Sequence, residues 1–64
     1  MIRVNGAWEQ FHVENVAQLL QRTGIDVRGI AVAVNGDVVP RSQWELVIID
    51  DDATIEIVTA AAGG

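Results

Sequence analysis

Apolar and polar positions alternate at the start of the chain, in Ile2-Arg3-Val4, and the alternation runs into Asn5-Gly6, a dipeptide that favours two-residue hairpin turns. This predicts a strand entering a hairpin. Phe11 and Val13 share one parity, which predicts a return strand through Glu9-Gln10-Phe11-His12-Val13 with those two residues on one face. The period then changes. Val16, Leu19 and Leu20 fall at the i, i+3, i+4 spacing of a one-sided helix from about Asn15 to Thr23. Asn15 followed three residues later by Gln18 resembles a capping box, and Gly24 suits the left-handed residue that ends a helix.

The second half returns to strand spacing. Ile30-Ala31-Val32-Ala33-Val34 is β-branched at every second position, and Asn35-Gly36 joins it to Asp37-Val38-Val39-Pro40 through a predicted type I′ turn. Ile30, Val32 and Val34 are expected to face the core, leaving Ala31 and Ala33 outward beside Val58. Arg41-Ser42-Gln43-Trp44 is long enough for one helical turn, with Trp44 plugging one end of the core. Trp8, at a hairpin tip, is either an exposed partner anchor or a ring folded back on its own hairpin. Asp50-Asp51-Asp52 marks a solvated turn before the last strand, in which Ala53, Ile55 and Ile57 face one way and Thr54, Glu56 and Val58 the other. The order is ββαβββ. A single small sheet needs its one helix to cover the apolar face, so the expected fold is an α+β roll spanning residues 1–64 as one domain.

Composition then limits what this roll can do. A chain of 64 residues buries only about 60% of the surface exposed in its unfolded form. Ligand pockets typically need about 300 Å3 or more, so a self-contained enzyme is not expected. No apolar run approaches the roughly 20 residues of a membrane span, and no basic segment followed by an apolar one opens the chain, so a soluble, cytoplasmic protein is expected. Nine acidic against four basic side chains give a net charge of −5, which disfavours nucleic acid and anionic membranes and favours a protein partner with a basic face. There is no cysteine for thiolate chemistry and no lysine to offer a side-chain amine.

Candidate sites within the body are weak. His12, the one histidine, falls on the outer face of a predicted strand with no nucleophile set to pair with it. The three aspartates are adjacent, whereas calcium loops space their ligands at alternate positions. The C-terminus is different. Thr59-Ala60-Ala61-Ala62-Gly63-Gly64 follows directly on an apolar strand, and every residue from Ala60 onward lacks a branched or long side chain. Glycine loses the most backbone entropy on ordering, so a Gly-Gly end adds nothing to a fold. Extended, residues 59–64 reach roughly 20 Å, enough to enter a narrow channel and present a carboxylate there.

With element order and tail together, the sequence closely resembles the ThiS family, the sulfur carriers of thiamine biosynthesis. The resemblance rests on Val4-Asn5-Gly6, Val16-Ala17-Gln18-Leu19-Leu20, Ala31-Val32-Ala33-Val34-Asn35-Gly36, Ile55-Glu56-Ile57-Val58 and Gly63-Gly64, and most specifically on Val38-Val39-Pro40-Arg41-Ser42-Gln43-Trp44. Ala60-Ala61-Ala62 differs from the bulkier residue expected before the glycines. The resemblance implies a ubiquitin-like β-grasp fold, a mixed sheet with one main helix, in which the Ile55 strand lies parallel to the Ile2 strand. It implies a carrier without catalytic groups or a stably bound cofactor. An adenylyltransferase of the ubiquitin-activating type would use ATP to join Gly64 to AMP. A persulfide sulfur donor would then convert the acyl adenylate to a thiocarboxylate, and thiazole synthase would receive the sulfur. Gly64 would carry the chemistry, Gly63 would give access to the channel, and Val58, Ala31, Ala33 and Glu56 would form the docking patch at the root of a flexible tail, residues 59–64. Two related roles share the terminal signal: the small subunit of molybdopterin synthase, also a sulfur carrier, and a ubiquitin-like modifier joined to lysines of other proteins. A β-grasp regulatory module, to which the Gly-Gly end would be irrelevant, is a third class.

Overall fold

The computed structural model describes residues 1–10 and 12–59. Strand β1, Ile2–Val4, turns through Asn5 and Gly6, whose φ angles of 50° and 84° are those of a type I′ turn, and returns as β2, Ala7–Glu9. The return strand is therefore earlier than the Glu9–Val13 segment expected from apolar parity. A two-residue turn leaves no slack, because Val4 pairs directly with Ala7. Val13 is buried in the core as the chain approaches the helix, and Phe11 lies outside the described residues. Trp8 pairs with Arg3 within β2 instead of crowning the hairpin tip.

Helix α1, Val16–Thr23, forms where the spacing predicts it. The Asn15 side chain accepts the Gln18 N–H at 2.8 Å, while Gln18 Oε1 accepts the N–H of Glu14 at 2.9 Å, a reciprocal cap closed one residue earlier than the usual box. The Ala17 N–H donates to the Trp44 carbonyl at 3.0 Å, so the start of the helix is also tied to the chain that follows β4. Gly24, at φ 71°, ends the helix and returns its N–H to Leu20 and Gln21. The buried positions are Val16, Leu19 and Leu20, as the periodicity requires.

Strands β3, Ile30–Val34, and β4, Asp37–Val39, form the second hairpin, with Asn35 and Gly36 at φ 52° and 88°. A short 3-10 turn, Arg41–Gln43, follows Pro40, and β5 runs from Thr54 to Thr59. The five strands lie in the order β2-β1-β5-β3-β4. β5 pairs parallel with β1, through Arg3 with Thr54 and Val4 with Ile55, and antiparallel with β3, through five positions from Ile30 with Thr59 to Val34 with Ile55. The parallel pairing of the terminal strands is the one the family resemblance implied.

One face of this sheet packs on α1. Ile55, Val16 and Leu19 are fully enclosed, and Ile2, Val32, Ile57, Ala53 and Ile49 close around them. Ile30 is only half-buried, since it begins β3 at the edge of the core. Trp44 plugs the end of the core as expected, with its indole N–H donating to the Val39 carbonyl at 3.1 Å. The Arg41 guanidinium lies 5.0 Å from the Trp44 ring centroid and donates to the Val27 carbonyl, joining the turn to the loop before β3. Among the described residues no helix is long and apolar enough to cross a membrane.

The N-terminal cap supports a helix of only eight residues, too short to persist without packing. Asn15→Ala should therefore lower stability by about 1 kcal/mol, equivalent to a fall of roughly 4–8 °C in Tm, read from a calorimetric melt. An unchanged Tm would show that the Trp44 carbonyl alone suffices to hold the start of the helix.

Candidate functional site

β5 is the central strand of the five, flanked by β1 and β3; near its start Ile55 meets both Val4 and Val34, and the strand leads from this core position to Thr59. Its side chains divide by alternation. Ile55 and Ile57 are buried, as is Ala53 just before the strand, and Thr54, Glu56 and Val58 are exposed; Thr59, of the inward parity, is exposed at the strand's end. The register places Val58 opposite Ala31 and Glu56 opposite Ala33, so these four residues meet on the outer face of the sheet. Val58 is 57% exposed, while Ala31 and Ala33, shaded by their neighbours, are half-buried.

The outer face also holds a residue that sequence reasoning missed. Val38 pairs with Ala33 and is 72% exposed, which extends the apolar strip from Val58 through the two alanines to β4. The signal was present in the hairpin: once Val39 is paired with buried Val32, Val38 must point outward. On the other flank Trp8 is 56% exposed, with the Arg3 guanidinium 5.8 Å from its ring centroid. Trp8 thus contacts its own hairpin and still presents surface.

The remaining sequence candidates lie elsewhere. His12 is exposed and faces Asp51 at 3.8 Å, near the start of β5 and away from Thr59. Asp51 and Asp52 form the solvated turn, with the Asp52 N–H bonded to the Met1 carbonyl at 2.7 Å. No group of three metal-ligating side chains is found among the described residues. In the exposed loop before β3 the Arg28 side chain, and then its backbone N–H, donate to Asp26 and hold that carboxyl below its ordinary range. Between α1 and the segment after β4 runs an open apolar groove lined by Ala17, Leu20, Ile25, Val27 and Trp44. Gly63 and Gly64 lie outside the described residues.

A helix packed on a five-stranded mixed sheet, with the last strand in the centre and parallel to the first, defines a ubiquitin-like β-grasp protein. The crystal structure of the thiamine biosynthesis protein ThiS from Geobacter metallireducens is similar to this chain, with a TM-score of 0.84 and 25% sequence identity over 98% of this chain and 97% of that one. No curated protein sequence matches. The ThiS family profile matches residues 2–64, and the chain belongs to that family. ThiS proteins are small sulfur carriers, and membership supports a carrier role here.

If the apolar strip is where partners dock, a charge at its centre should weaken binding without unfolding the domain. Val58→Arg should weaken binding to the activating enzyme at least about tenfold, measured by calorimetric titration, while leaving the circular dichroism melt unchanged. Undiminished binding would move the contact to another face.

Proposed function

We propose that the chain is the sulfur carrier for thiazole formation in thiamine biosynthesis, and that its chemistry takes place on the carboxylate of Gly64. The observation that carries this reading is the path of β5. It leads from Ile55, at 0% exposure, past the exposed Glu56 and Val58 to Thr59, after which five residues of the tail remain. Family membership extends through both glycines. A body that anchors the root of the tail and a tail of small residues suit a carrier whose end is worked on inside other proteins.

A carboxylate is a poor electrophile and must be activated first. In the proposed cycle a Gly64 oxygen attacks the α-phosphorus of ATP in the activating enzyme, forming the acyl adenylate and releasing pyrophosphate. The terminal sulfur of a persulfide on a donor protein then attacks the acyl carbon, and AMP leaves. Attack by a thiol cleaves the resulting S–S bond, forming a disulfide with the donor and freeing the thiocarboxylate, which thiazole synthase consumes. Gly63 lets the backbone pass where a Cβ would meet the channel wall. The absence of lysine means that the activated end finds no side-chain amine on its own chain.

Gly63 and Gly64 follow the last strand and have no side chains to bury, so their removal should be silent in stability. Deleting Gly64 should leave Tm unchanged and abolish ATP–pyrophosphate exchange with the activating enzyme, because the shortened carboxylate misses the α-phosphate. Gly63→Leu should show the same division. Full exchange without Gly64 would overturn the carrier reading, and a large fall in Tm would make the tail a structural element.

A further inference from the structure

On the β1 side, hydrogen bonding along β5 stops at Ile57, where the Asn5 side chain makes the last pair. Alternate residues of a strand direct their N–H and C=O groups to opposite neighbours. The carbonyls of Ala53, just before β5, and of Ile55 accept from the Arg3 and Asn5 N–H groups, each at 2.9 Å, whereas the Thr54 carbonyl faces Asn35 on the β3 side, accepting its N–H at 2.7 Å. At Ile57 the backbone of β1 has already turned away. The Asn5 side chain takes its place: Oδ1 accepts the Ile57 N–H at 2.7 Å and Nδ2 donates to the Ile57 carbonyl at 3.1 Å. Thr59, two residues on, points its N–H and C=O to this same side. No described residue pairs with them there, since β1 ends at Val4.

We infer that the edge of β5 at Thr59 is completed by an extended backbone segment of the enzyme that takes up the tail. This rests on the carrier reading above. Five residues, roughly 17 Å when extended, lie beyond Thr59, so an enzyme that encloses the whole of that tail has its channel mouth at Thr59. Covering this edge without replacing the water on its N–H and C=O would bury unpaired backbone groups, which protein interfaces avoid. An extended segment supplies both partners at once and continues the ladder that the Asn5 amide ends. A shallow groove already runs beside this position, lined by Asn5, Gly6, Glu56, Ile57 and Val58 among others, with Arg3 and Glu56 giving it charges of both signs. The inferred segment is thus read through its backbone at Thr59, while the Val58 strip is read through side chains.

The test uses the full carrier and the purified activating enzyme without ATP, so that contact is measured apart from adenylation. In hydrogen exchange the Thr59 amide should exchange rapidly in the free carrier and about tenfold or more slowly in the saturated complex. Thr59→Pro removes the outward N–H, which makes no bond to β3, and should weaken binding about tenfold with Tm unchanged, while Thr59→Val, which changes the side chain and keeps the N–H, binds as the parent does. An amide that exchanges equally fast in the complex would overturn the inference. Protection that rises with concentration of the carrier alone would also overturn it, by assigning the edge to a second copy. Loss of Thr59 protection and loss of pyrophosphate exchange are separate readouts, so failure of one does not stand for failure of the other.

Discussion

The structure depends on the insertion of the last strand between the first and the third. Each hairpin alone is a two-stranded ribbon, and such ribbons are marginal in water. β5 turns two ribbons into one sheet by pairing parallel with β1 and antiparallel with β3, and it carries Ile55 and Ile57 into the face that α1 covers. The pairing is long-range: the Asn5 side chain binds Ile57 across 52 residues. Burying an isoleucine such as Ile55 or Ile57 is worth about 1.5–3 kcal/mol, so neither is dispensable in a domain this small. The consequence for function is positional. The segment that completes the core also leads to the tail, and whatever pulls on the tail is resisted by the most enclosed strand of the molecule.

That arrangement divides the labour of the outer and inner faces along one strand. Inward residues of β5 hold the fold, and Glu56 and Val58 on the other parity are free to meet partners, beside the small side chains of Ala31 and Ala33. Small residues opposite an exposed valine make a shallow surface against which another protein can pack closely. Under the proposed docking role a change at Val58 or Val38 acts on recognition, while a change at Ile55 or Ile57 acts on stability first.

Much of this was legible in the residues because local rules and burial agree. Two Asn-Gly turns, a one-sided helix with a cap and a glycine stop, and strict alternation in β3 and β5 each pointed to the element observed. The exception is instructive. The parity of Phe11 and Val13 suggested a strand, but the two-residue turn at Asn5-Gly6 had already set the return at Ala7, and Val13 is buried as a lead-in to the helix. Turn geometry outranked apolar spacing. The role of Asn5 beyond its turn was not legible either, because a side chain that continues a ladder to Ile57 can be known only once the two strands are adjacent. Val38 was deducible from the register of its hairpin, and Thr59 only from the point at which β1 ends.

Of the segment that most specifically marked the family, Val38 to Trp44, the part from Val39 onward proves to serve structure. Pro40 ends β4, the turn that follows swings Trp44 into the end of the core, the indole N–H is held by the Val39 carbonyl, and Arg41 joins the ring to the Val27 carbonyl. The Trp44 carbonyl in turn receives the Ala17 N–H, so the plug also fixes where the helix begins. A buried tryptophan leaves few alternatives for its neighbours, and this explains why such a segment identifies the fold more sharply than two glycines do. Chemistry at a chain end asks only for reach, small size and an anchored root. It leaves the body free to be specified by packing.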